Sequence, residues 1–139
     1  MSNNSAHWSF WVLGILMLIW NVMGCLNFLM QMNPEIIASY RDFEQALILN
    51  RPLWATLAFA IAVFGGAIGC ILLLFKKTIS FYVLIASFIG TVITMAHTLN
   101  ANIYFSFGDM IAIIILPILI ATFLIGYEKY SERKGWLKN

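Results

Sequence analysis

Few residues in this chain have the chemistry to catalyse anything. The most suggestive pair is His97, near the end of one apolar run, and Asp109, just before the next. An imidazole held by a carboxylate could carry protons. The competing reading makes Asp109 a helix cap. Ser106 precedes it by three and an apolar run follows, which is capping-box spacing with Asp in place of Glu. A carboxylate in the first turn is also favoured by the helix dipole. No second acid, Cys/His cluster or Ser/His/Asp grouping stands near the pair. His7 and His97 fall on opposite sides of the membrane and cannot share a zinc ion. The sequence therefore reads as a non-enzyme, with no metal and no cofactor.

The uncharged polar residues are better organised. Ser80, Ser87, Gly90, Thr94 and His97 recur at intervals of seven, three, four and three residues, so they share one helix face, bordered by Thr91 and Thr98. Asn21 and Asn27 lie in another apolar run. Such groups facing lipid would leave hydrogen bonds unmade, so they should point into a bundle. One reading is interhelical glue worth about 0.6 kcal/mol per bond. Serine and threonine can also bond back to their own helix. The other is an outward-opening polar pocket for a small neutral solute, lined by Asn21, Asn27, Thr94, His97 and Thr98, with Asp109 near its rim. A separate stripe, Ala58, Ala62, Gly65, Gly66 and Gly69, predicts close helix packing, since small residues let backbones approach. Its partner could be the first span or another copy of the protein. Cys25 and Cys70 should differ in depth by more than ~10 Å at ~1.5 Å per residue. That exceeds the ~7 Å Cα limit for a disulfide, so both read as free thiols.

These residues are carried by four stretches without any Asp, Glu, Lys or Arg: 8–30, 53–75, 79–99 and 110–127. Each is about the ~20 residues a helix needs to cross a bilayer. The chain is 62% hydrophobic and 10% charged, against roughly 25% charged in soluble domains. The fold class is all-α, an integral membrane four-helix bundle forming one domain over its 139 residues. No basic run suggests nucleic acid; the expected surroundings are a lipid bilayer. The first apolar run is too long for a signal peptide and should remain as an anchor. Lys76, Lys77, Lys129, Arg133, Lys134 and Lys138 share one side, so both termini should be cytoplasmic. Tyr104, Phe105 and Phe107 should join Trp54 in an aromatic belt on the opposite side.

Between the first two spans, Asn33 and Pro34 read as an N-cap and first helical position. Ile36, Tyr40, Phe43 and Leu47 then recur at helical spacing, predicting one amphipathic helix over 34–49 on the outer face. It would cap the bundle or act as a lid or partner-binding surface. Pro117 should kink the fourth span. Helix should continue past that span through Lys134 and stop at Gly135.

The first span, with Phe10-Trp11-Val12-Leu13-Gly14-Ile15 and Trp20-Asn21-Val22-Met23-Gly24, resembles a family of small bacterial inner-membrane proteins of unknown function. The likeness continues through Pro52-Leu53-Trp54-Ala55, Phe64-Gly65-Gly66-Ala67-Ile68-Gly69 and Leu72-Leu73-Leu74 into Lys76-Lys77. It covers the first two spans well and the last two only by hydropathy. It implies a bacterial inner membrane and a four-helix layout. Some members are labelled sugar transporters, and the resemblance transfers no site residue. Two functions are expected: helix association, as an accessory subunit or homo-oligomer, and small-solute transport or facilitation through the outer pocket.

Overall fold

The computed structural model describes residues 8–100 and 106–137. His7, Tyr104, Phe105 and Lys138 lie outside the described residues. The described chain is an all-α four-helix bundle with no strand. Its long helices are α1 (Trp8–Met30), α4 (Leu53–Leu74), α5 (Ser80–Asn100) and α7 (Leu116–Arg133). Two short helices, α2 (Pro34–Ile37) and α3 (Asp42–Leu49), connect α1 to α4 at the loop end. A short α6 (Phe107–Met110) and a π-helical turn, Ile111–Ile115, lead into α7. With α6 and the π turn, the last span runs Phe107–Arg133, one of four helices long and apolar enough to cross a membrane. Leu16, Ile19, Leu57, Ile61, Ile89 and Leu119 are about half-exposed on its outer surface, where lipid replaces water. The protein is a multi-pass membrane protein.

The order of packing follows the chain: α1 on α4, α4 most extensively on α5, and α5 on α7. The small-residue stripe of α4 is filled within the chain. Gly65 faces Ser87, and a Cβ on Gly69 would come 2.6 Å from the Leu84 side chain. Gly90 of α5 closes the same seam, where a Cβ would sit 2.7 Å from the Ala58 carbonyl and 2.9 Å from the Ala62 nitrogen. The Ser87 hydroxyl bonds across it to the Ala62 carbonyl at 2.6 Å. Gly66 faces both neighbours, where a Cβ would collide with the Asn21 amide of α1 and lie 3.2 Å from Ser87 Oγ of α5. Most of the stripe therefore serves α5, with one position also serving α1.

At the terminus end, Phe10, Leu73, Trp136 and Leu137 form a buried cluster, with Tyr127 packed against it. The Phe10 ring stacks on Tyr127 at 6.2 Å and meets Trp136 edge-on at 5.7 Å. Gly135 enables this closure. At φ 75° it takes the left-handed conformation that ends α7, with Trp136 N–H bonded to the Ser131 carbonyl and Gly135 N–H to that of Glu132. The chain then turns Trp136 back onto Phe10. Lys76 ends α4 in the same way at φ 62°, although a side chain there is strained.

One expectation changes at the loop end. The single helix expected over 34–49 is two helices, broken across 38–41. The Ser39 hydroxyl bonds the Ile36 carbonyl at 2.6 Å, competing with helical continuation. The Gln45 amide then binds the Tyr40 carbonyl at 2.8 Å, and Arg41 N–H donates to Glu44 Oε1. Before Pro117, the π turn widens the helix, and Leu116 N–H reaches back to the Ile111 carbonyl. This accommodates a residue that lacks an N–H and crowds the carbonyl four residues earlier.

Candidate functional site

Because α1 and α7 meet through the terminus-end aromatics, the opposite half of the bundle is free to part. A cavity of about 550 Å³ occupies that half. Its walls come from α1 (Asn21, Asn27), α3 (Leu47, Ile48), α4 (Phe59, Ala62), α5 (Thr91, Thr94, His97, Thr98) and the last span (Ala112, Pro117, Ile120). The volume falls within the ~300–1,000 Å³ of small-molecule sites. The break before α3 and the π turn before Pro117 both shape its walls.

Asn21 lies near the floor, donating to the Met17 carbonyl at 2.8 Å and to Cys70 Sγ at 3.7 Å. Thr91, Thr94 and Thr98 each bond the carbonyl four residues earlier, at 2.9, 2.8 and 3.0 Å. Their protons are thus used within α5, and each oxygen keeps acceptor capacity. Tyr40 from the broken loop donates to Asn27 Oδ1 at 3.5 Å. His97 lines the wall with its ring 5.5 Å from Trp54, edge-on. The cysteines are free thiols at separate sites, Cys25 bonding the Val63 carbonyl at 3.3 Å.

Asp109 departs from the expected site and does not line the cavity. Its N–H donates to Ser106 Oγ at 3.2 Å, and the Ser106 hydroxyl donates to its Oδ2 at 2.8 Å. It caps its helix. Its Oδ1 pairs with Arg41 Nη1 at 3.1 Å, while Arg41 Nε pairs with Glu44, also at 3.1 Å. These contacts, the Glu44 bond foremost, raise the Arg41 guanidinium above its ordinary value. Among the described residues no hydrogen bond or ion pair joins Asp109 to His97. The carboxylate ties α3 to the last span and leaves the imidazole alone.

Sequence reasoning missed Arg51 as a site residue. Its Nη2 donates to Gln31 Oε1 at 2.7 Å, and its guanidinium lies 5.0 Å over Phe59. Arg51, Gln31 and Phe59 all line the cavity. Arg51 Nε is buried without a partner. Burial pulls this guanidinium below its ordinary value. The available signal was position: an arginine directly before an apolar run must lay its stem along the span.

Glu128 was missed too, because it falls one residue beyond the charge-free stretch. It is fully buried at the terminus end, away from the cavity, accepting a 3.4 Å bond from the Ser80 hydroxyl. Its Oε1 has no partner. Comparison with family models, curated proteins and solved structures gives no match, so the site is read from its own chemistry.

Proposed function

We propose that this protein binds a small solute in the loop-end cavity and works as a transporter or facilitator in a bacterial inner membrane. The observation that carries this is the asymmetry of the bundle: at one end a cavity of about 550 Å³, mostly apolar but with polar side chains of α1 and α5 in its wall, and at the other a buried aromatic cluster. If the cavity opens at the loop end, a site reached from there and closed at the terminus end would be one half of an alternating-access cycle. The excess of Lys and Arg at the terminus end supports cytoplasmic termini and a cavity facing outward. The likeness of the first two spans to small bacterial inner-membrane proteins supports the compartment.

Reconstituted protein tests the proposal with a panel of labelled sugars, polyols and short carboxylates. Flux of at least one above the lipid background, abolished by Thr94→Trp, is the expected result. Background flux for the whole panel would reject transport.

A second reading, association with another membrane helix, rests on α1. It packs on α4 along one flank and leaves Ile15, Leu16, Ile19 and Met23 exposed. Crosslinking in native membranes that returns only monomer would sink it.

A further inference from the structure

We propose that the cavity takes an amphipathic ligand with a carboxylate or phosphate head, bound by Arg51, and an apolar body reaching toward Pro117. This rests on the binding reading above and gives it a ligand class. It also replaces the neutral solute expected from the uncharged residues alone.

The two arginines of the loop end make the case. Arg41 has two carboxylates, Glu44 and Asp109, each at 3.1 Å. Arg51 has no carboxylate within ion-pair distance among the described residues. Glu44 also borders the cavity, but its Oε1 already serves Arg41. Arg51 is met by one neutral amide oxygen and one aromatic face. A guanidinium carries five donors, and its Nε here is buried without a hydrogen-bond partner. Removing a cation from water without a counter-charge is costly. An oxyanion arriving through the cavity would supply that charge and accept from the outer Nη groups of the guanidinium. Beyond the head, Met95, Ile113, Pro117 and Ile120 offer apolar wall. The threonine hydroxyls, bonded within α5, do not demand a polar body. The head could belong to a free solute or to an anionic lipid.

The test uses the full chain in phosphatidylcholine nanodiscs, with binding to empty discs subtracted. The probes are radiolabelled octanoate and its neutral counterpart octanol. Octanoate is expected to bind saturably, with affinity at least about tenfold weaker in Arg51→Gln and partly retained in Arg51→Lys. Octanol should bind both variants and the native protein alike. Ala112→Trp, which fills the cavity, should abolish both. Thermal unfolding of each variant in the same discs checks that it is folded. Absent octanoate binding, or affinity unchanged in Arg51→Gln, overturns the anion site. If octanol still binds and Ala112→Trp abolishes it, the cavity reading survives that loss; if Ala112→Trp affects neither probe, both fail. Discs containing phosphatidylglycerol assign the source of a head already shown to need Arg51. Competition with octanoate identifies a lipid headgroup, and its absence identifies a free solute.

Discussion

The two ends of this bundle are built from the same four helices and reach opposite outcomes. At the terminus end, Gly135 folds the chain back and Trp136, Phe10 and Leu73 interlock. At the loop end, a broken connection and a proline-accommodating π turn stand where packing residues could have been, and a cavity results. Helix packing in lipid gains little from apolar contact alone, because lipid tails are as apolar as leucine. Close fit holds one end together. The absence of that fit at the other leaves room for a ligand. A membrane bundle can therefore keep its fold from one half and give the other to binding.

Truncating one aromatic residue at each end breaks the comparison most sharply. Phe10→Ala should cost about 3–5 kcal/mol, the range for emptying a packed aromatic site. Phe59→Ala, which already borders open space, should cost less than half of that. Reversible unfolding in mixed micelles measures both, and equal losses would erase the distinction. Gly90→Ala tests the seam shared by the two halves. Its methyl meets backbone atoms of Ala58 and Ala62, not a side chain that can swing away, so about 1–3 kcal/mol should be lost. Retained stability in the same assay would mean that α4 and α5 can part. Glu128 probes polar burial at the sealed end. Glu128→Ala should cost about 1–3 kcal/mol by emptying the site and leaving the Ser80 hydroxyl without its partner, while Glu128→Gln, which keeps shape and acceptor, should stay within about 1 kcal/mol. The smallest effect is a gain. Lys76→Gly relieves the left-handed backbone at the end of α4 and should add about 0.5–1 kcal/mol, read as a rise in melting temperature.

Much of the architecture was legible because lipid imposes a simple rule. A charge-free run of about 20 residues must be a helix, so the end of α1 at Met30 and the start of α4 at Leu53 follow from sequence. The stop at Gly135 was legible for a different reason, since few residues other than glycine take its backbone conformation easily. The break between α2 and α3 was hidden, because Ser39 diverts the backbone without disturbing the apolar spacing that signals a helix. Five expected site residues, Asn21, Asn27, Thr94, His97 and Thr98, line one cavity; Asn21, Thr94 and Thr98 are buried there, while Asn27 stays exposed. Asp109 was drawn to Arg41 instead, and that pairing depends on how α3 lies over the bundle end, which one-dimensional spacing does not encode. Arg51 was overlooked for the same reason: its place at the cavity follows from the loop's path.

A cavity at the loop end above a sealed terminus end requires that water and solute reach the middle of the bundle from the loop end. Thr94→Cys in a Cys25→Ala, Cys70→Ala background, exposed to a membrane-impermeant maleimide in sealed vesicles of each orientation, tests it most directly. Labelling of Thr94→Cys is expected from the loop-end side alone, with Leu73→Cys unlabelled from either side. A Thr94→Cys thiol that is unreactive from both sides, or reactive only from the terminus side, would contradict it.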